Sequence, residues 1–230
     1  MNKHTVRSRI SENPYFFGLY AVLLAAGCII LLMIEKGDGN IFFNNWRGSN
    51  WDYFFKFFSS LGEGGYFAGL LLIIGVFSFK YIVTGVSVYL GSGAVTQILK
   101  NMFNMPRPKV FFEGTDLVTY VKDFDLYSWQ AFPSGHSTGG FAIFLFLALI
   151  TKNKKLGSVY LVCAFFVGMS RVYLVQHFLI DVYFGSMIGV FMTIVIYNLF
   201  ENSDKVTNAE WYNFSLFSKI NSLLKKPEVK

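Results

Sequence analysis

The chain has 230 residues, of which 53% are hydrophobic, 19% aromatic and only 15% charged. A soluble domain carries about 25% charged residues, and here the charges gather in short clusters between long apolar runs, which excludes a water-soluble globular enzyme and points to an all-α polytopic membrane protein. The formal net charge of +6 sits in the Lys and Arg of connecting loops, as membrane proteins carry them, and no basic stripe interleaved with stacking aromatics implies nucleic acid.

After a polar N-terminal segment, residues 1–14, six segments approach the about 20 mostly apolar residues that cross a bilayer core. They are 15–34, 60–79, 81–99, 137–151, 156–169 and 178–200, so that 15–200 forms one six-helix membrane domain. In the first, the run from Leu24 to Cys28 is like a lipoprotein cleavage site, but the apolar stretch continues through Ile34, where a cleaved signal should end. Cys28 and Cys163 both lie in apolar runs and indicate neither a disulfide framework nor a zinc site. The aromatic stretch 51–58 suits the outer membrane interface. The second span opens on Glu63 and three nearby glycines. Lys80 marks a tight turn between the second and third spans, because one helix through both would be about 40 residues, too long for one crossing. The fourth and fifth spans are short unless they take in the polar residues that flank them. Beyond 200, in the tail 201–230, Trp211, Phe214, Phe217, Ile220 and Leu224 recur at helical spacing beside Lys219, Lys225 and Lys226, the pattern of an amphipathic helix on the cytoplasmic leaflet.

Orientation follows from the cations. Six spans place twelve Lys and Arg on the side of the termini and eight on the other, and three of those eight, Lys100, Arg107 and Arg171, have a chemical explanation. The excess puts both termini in the cytoplasm, in a multi-pass protein of the bacterial cytoplasmic (inner) membrane. Loops 35–59, 100–136 and 170–177 then face the periplasm or exterior.

Polar residues that carry chemistry concentrate on that outer side, in three short segments. The first is Lys100 followed at a distance by Arg107-Pro108, the second Pro133-Ser134-Gly135-His136, and the third Ser170-Arg171 followed by His177 and Asp181. On a helix His177 and Asp181, four apart, share a face, and a carboxylate beside an imidazole fixes its tautomer and stabilises charge developing on the ring. An unpaired carboxylate in an apolar segment is costly, so Asp181 calls for such a partner. Lys100, Arg107 and Arg171 fall at the outer ends of spans; singly each could be snorkelling to the headgroups, but three converging cations suit an anion with several oxygens, such as phosphate. Ser134-Gly135 precedes the fourth span, whose start offers free N–H groups and a positive dipole end, and His136 stands one residue on, placed to protonate a leaving oxygen.

On these three segments, in this order and spacing, the chain resembles the type 2 phosphatidic acid phosphatases, relatives of the vanadium haloperoxidases, over about residues 60–200. The resemblance implies that His177 attacks phosphorus to give a phosphohistidine, oriented by Asp181. It implies that His136 protonates the departing group and then activates water, and that Lys100, Arg107, Ser134, Gly135 and Arg171 hold the phosphate oxygens. The expected activity is hydrolysis of a lipid phosphomonoester or diphosphate of the undecaprenyl diphosphate, phosphatidylglycerol phosphate, phosphatidic acid or lipid A class. A phosphotransferase would use the same residues with another acceptor. A non-catalytic transporter or scaffold for anionic lipid would need cations but neither nucleophile nor acid. No cofactor is implied, and no metal, since no metal-ligand cluster appears outside the site. The expected partners are a lipid phosphate in the outer leaflet and the surrounding membrane lipids, with no obligate protein partner. Aromatics of the loop between the third and fourth spans, among them Phe111, Phe112, Tyr120, Phe124, Tyr127 and Trp129, can cover the site or anchor at the interface.

Overall fold

Long apolar runs without a period-2 pattern fold as helices, and in the computed structural model, which describes residues 5–122 and 124–224, all the regular structure described is helical. In chain order the helices are α1 (Val6–Glu12), α2 (Pro14–Met33), α3 (Asp38–Asn44), α4 (Ser49–Leu61), α5 (Gly64–Phe77), α6 (Phe79–Phe103), α7 (Pro108–Phe111), α8 (Gly135–Ile150), α9 (Leu156–Tyr173), α10 (Leu179–Glu201), α11 (Asp204–Thr207) and α12 (Leu216–Leu224).

Four helices are long and apolar enough to cross a membrane: α2, the helix that begins at Phe79, α9 and α10. They carry the expected first, third, fifth and sixth spans. The expected second span, 60–79, is corrected: its helix begins only at Gly64, and α4 and α5 form a pair bent by 59° that reaches spanning length together. Glycine is a poor helix former, and at Gly62 the bend presses the backbone against its neighbours, since a Cβ there would lie 2.7 Å from Val167 and 3.2 Å from the His136 carbonyl. α8, where the fourth span is expected, is 16 residues long, short of the candidate spans, and enclosed by other helices along nearly its whole length. The turn expected at Lys80 falls instead at Ser78, which is extended; Lys80 lies inside α6 and pairs with Glu201 at 3.5 Å.

The chain is thus a multi-pass helical membrane protein, and its surface agrees. Leu32, Leu72, Leu90 and Phe191 are 83%, 68%, 63% and 64% exposed, a distribution that lipid tolerates and water does not. The stretch 51–58 is part of α4 and packs on α9, with Phe55 stacked on Tyr173 at 4.2 Å and Phe54 and Phe58 against Phe166. The tail turns back onto the bundle: Tyr212 is buried with its hydroxyl 3.1 Å from that of Thr84, and Phe217 of α12 meets Phe77 of α5. Lys225 and Lys226, expected beside that helix, lie outside the described residues.

The tightest packing joins α8 and α10. A Cβ on Gly189 would lie 2.4 Å from the Thr138 carbonyl, and one on Gly185 2.7 Å from the Ser134 carbonyl. Small residues let membrane helices approach in this way. Because both obstacles are backbone atoms, no side-chain rotation can relieve them. Gly189→Ala should therefore destabilise the detergent-solubilised protein by about 1–3 kcal/mol, the cost of overpacking, lowering its thermal midpoint. An unchanged midpoint would show that the two helices do not meet so closely.

Candidate active site

The site is assembled where the C-terminal ends of α6 and α9 meet the N-terminal ends of α8 and α10. Ser134, buried, is the N-cap of α8, its Oγ accepting the Ser137 N–H at 3.3 Å. Its own N–H donates to the Asp181 carbonyl at 3.0 Å, joining the second segment to the third. Gly135 and His136 follow in the first helical turn and are both half-exposed. Around Gly135 the nearest side-chain atoms to a Cβ would be Lys100 Cε at 3.8 Å and Thr96 Cγ2 at 4.0 Å, so space remains beside the free N–H groups of this helix start, where an anion is favoured.

All three expected cations converge there, each largely buried and held from one side by neutral oxygens. Lys100 Nζ donates to the Gln130 carbonyl at 2.8 Å. Arg107 Nε donates to the Trp129 carbonyl at 2.8 Å, and another of its nitrogens to Gln176 Oε1 at 3.2 Å. Arg171 donates to Ser59 Oγ, while its Nε is buried without a partner. Carbonyls orient these cations without cancelling their charge, leaving donor capacity for a multi-oxygen anion. Aromatics of the loop 112–132 cover two of them: Phe124 lies 5.7 Å from the Arg171 guanidinium and Tyr127 5.2 Å from that of Arg107.

His177 and Asp181 do meet, by a route the spacing did not foresee. His177 is not helical: it lies in the short connection after α9, its N–H donating to the Arg171 carbonyl at 3.1 Å, and α10 starts only at Leu179. Asp181 sits in the first turn of α10, where its Oδ2 accepts the Phe178 N–H at 2.9 Å. The same oxygen lies 3.5 Å from His177 Nδ1, which has no other partner. This is an ion-pair distance at the long limit for a hydrogen bond, of the kind that tightens when substrate binds. It directs Nδ1 to the carboxylate. Burial, and then Arg107, Arg171, Lys100 and His136, hold the His177 imidazole well below its ordinary pKa. A lowered pKa keeps the ring neutral, and therefore nucleophilic, to lower pH than a free histidine.

Positioning residues outside the three segments also appear. Asn40 of α3, fully buried, donates to the carbonyls of Val172 at 2.9 Å and His177 at 3.1 Å, fixing the backbone at His177. Gln176 links Arg107 to the Asp125 carbonyl. Neither has a local sequence signal beyond a polar side chain beside an apolar run. Ser170 is tied to the Val167 carbonyl at 2.6 Å and does not enter the site.

A buried imidazole–carboxylate pair ringed by three cations and a helix start is an arrangement suited to phosphoryl transfer. A profile of the PAP2 superfamily matches residues 80–205, more than half the chain, and the chain belongs to that superfamily. It is 30% identical over 152 residues to phosphatidylglycerophosphatase B of Bacillus subtilis (strain 168), covering 59% of this chain and 68% of that protein. Lipid A 1-phosphatase of Rhizobium johnstonii is 28% identical over 104 residues, 45% of this chain and 41% of its own length. The chain spans less than half the length of several curated relatives it matches. Among solved structures, Aquifex aeolicus LpxE superposes with a TM-score of 0.59 at 28% identity, over 69% of this chain and 92% of that one. The first transmembrane PAP2 type phosphatidylglycerolphosphate phosphatase from Bacillus subtilis, at 22% identity, shares the fold with a TM-score of 0.55 over 83% of this chain and 96% of that one.

The state of His177 can be read directly. Imidazole nitrogen NMR should find its ring neutral at pH 6, where a histidine with the ordinary pKa of about 6.5 is mostly protonated. A protonated His177 at that pH would overturn the assignment of a neutral nucleophile.

Proposed function

We propose that this chain is a lipid phosphatase that hydrolyses a phosphomonoester or diphosphate carried by a membrane lipid, through a phosphohistidine on His177. The observation that carries the reading is the His177–Asp181 pair at 3.5 Å, with Arg107, Arg171 and Lys100 all acting electrostatically on the imidazole.

In this reading each step falls to a named group. Lys100, Arg107, Arg171 and the N–H groups at Gly135 bind the phosphate and stabilise the charge of the five-coordinate transition state. His177 Nε2 attacks phosphorus, the P–O bond to the lipid breaks, and the departing oxygen takes a proton from His136. Asp181 stabilises the positive charge on the His177 ring. Water, giving a proton to His136, then attacks the phosphohistidine, releasing inorganic phosphate and restoring both histidines. The cations provide the charge neutralisation, so the reaction needs no added metal. The relatives named for phosphatidylglycerophosphate and lipid A favour a substrate among glycerolipid and lipid A phosphates. The ring of cations at the ends of spans favours a phosphate that arrives within the leaflet, its chain left in the bilayer. The phosphotransferase alternative shares these residues and differs only in the acceptor.

Purified protein, assayed for phosphate release on phosphatidylglycerol phosphate, phosphatidic acid, lipid A phosphate and undecaprenyl diphosphate, should turn over at least one of them in excess chelator with no acceptor present. His177→Ala should lose at least about 10³-fold in kcat, since removing a nucleophile costs up to about 10⁶-fold. Phosphate release only on addition of magnesium, or only with a second lipid or sugar acceptor, would replace this account. The proposed orientation, both termini cytoplasmic and the site on the outer face of the inner membrane, predicts that a reporter at Asn153 reads cytoplasmic and one near Gly114 external. The reverse result would invert it.

A further inference from the structure

The catalytic site leaves unused a cavity of about 530 Å³, within the roughly 300–1,000 Å³ range of pockets that hold small molecules. Leu23, Leu24, Gly27, Ile30 and Ile34 line the cavity on the side of α2. Near its start Tyr20 reaches Ser186 at 3.2 Å, and farther along the Tyr183 hydroxyl donates to the Leu24 carbonyl at 3.2 Å, close beside Gly27. Beyond Gly27, Ile30 and Ile34 line the cavity together with Leu179 and Val182 of α10. An apolar cavity of this kind does not hold ordered water, and within a bilayer the available filler is hydrocarbon.

The outer end of this cavity is polar. Asp38 lines it, and a second, adjoining cavity that shares Ile34, Gly39 and Leu179 is lined by Glu35 and Lys36. All three charged side chains are exposed. Lys36 Nζ stands 4.5 Å from the Phe178 ring, and the Glu35 N–H donates to Asp38 Oδ2 at 2.8 Å. An apolar slot thus ends on one cation beside two carboxylates. A headgroup carrying only negative charge, including a substrate phosphate, would meet a net repulsion at Glu35 and Asp38. A headgroup with a phosphate and an ammonium satisfies all three.

We propose that the gap between α2, α3 and α10 is a binding site for a zwitterionic bilayer phospholipid, separate from the catalytic centre, with one acyl chain along Ile30–Ile34, the phosphate on Lys36 and the ammonium on Glu35 and Asp38. The site borders the nucleophile's support. Lys36 covers Phe178, whose N–H is held by Asp181, and Asn40 of the same α3 holds the His177 carbonyl. Occupancy therefore braces α3 against the start of α10.

The test is lipid retention, read independently of catalysis and so of the phosphatase assignment. Delipidated protein in detergent is titrated with phosphatidylethanolamine or phosphatidylglycerol, and adducts surviving collisional activation are counted by native mass spectrometry. The wild-type chain should retain phosphatidylethanolamine in preference to phosphatidylglycerol. Ala26→Trp, which fills the slot from α2, should lose the retained adduct. Lys36→Glu should weaken retention about tenfold, the size of one charge-assisted contact, and Leu90→Trp, on the lipid-facing surface of α6, should retain it. Circular dichroism and elution volume establish that each variant is folded, and Lys36→Glu, at an exposed position, keeps the test valid if Ala26→Trp does not fold. Equal retention by wild type and Lys36→Glu, or phosphatidylglycerol retained as strongly as phosphatidylethanolamine, would overturn the proposal.

Discussion

The close approach of α8 and α10 is the constraint on which the rest depends. Two glycines one turn apart on α10, Gly185 and Gly189, let its backbone lie against the carbonyls of Ser134 and Thr138. At that separation the Ser134 N–H reaches the Asp181 carbonyl. One contact therefore fixes both the start of α8, where a phosphate can be bound, and the start of α10, where the carboxylate that orients His177 stands. A larger residue at either glycine would push the start of α8 away from the start of α10.

The second requirement is keeping three cations and the His177 imidazole together out of water. Isolated charges in such surroundings are costly, and like charges near one another add to the cost. The protein meets this by giving each cation neutral oxygen partners rather than carboxylates: the Gln130 carbonyl for Lys100, the Trp129 carbonyl and Gln176 side chain for Arg107, Ser59 for Arg171. Full salt bridges would stabilise the empty site but compete with an incoming phosphate. Burial and then the same cations raise the cost of protonating His177, so the charge arrangement that suits an anion also keeps that imidazole neutral.

The α4–α5 bend shows how a feature awkward as a membrane span serves the site. Gly62 lies against His136, and Ser59, one turn earlier, holds Arg171. A straight helix through this region would carry Ser59 away from the guanidinium. The aromatic face of α4 then fixes the bend against α9 through Phe55 and Tyr173.

The sequence alone determined the helical membrane class, through long apolar runs that only a bilayer tolerates on a surface, and it marked the residues that gather at the site. Lys100, Arg107, Ser134, Gly135, His136, Arg171, His177 and Asp181 stood out because polar groups beside apolar spans are expensive and so few. Tertiary structure decided what depends on distant backbone. Asn40 and Gln176 bond to carbonyls and side chains far from them in the chain, which local spacing cannot reveal. His177 meets Asp181 across a helix start rather than along a helix face, because the chain leaves α9 by hydrogen bonds to the Arg171 carbonyl. The broken α4–α5 pair and the turn at Ser78 are likewise set by packing against α9 and by the tail. Hydropathy records how apolar a segment is, but not where its backbone must bend to reach a partner.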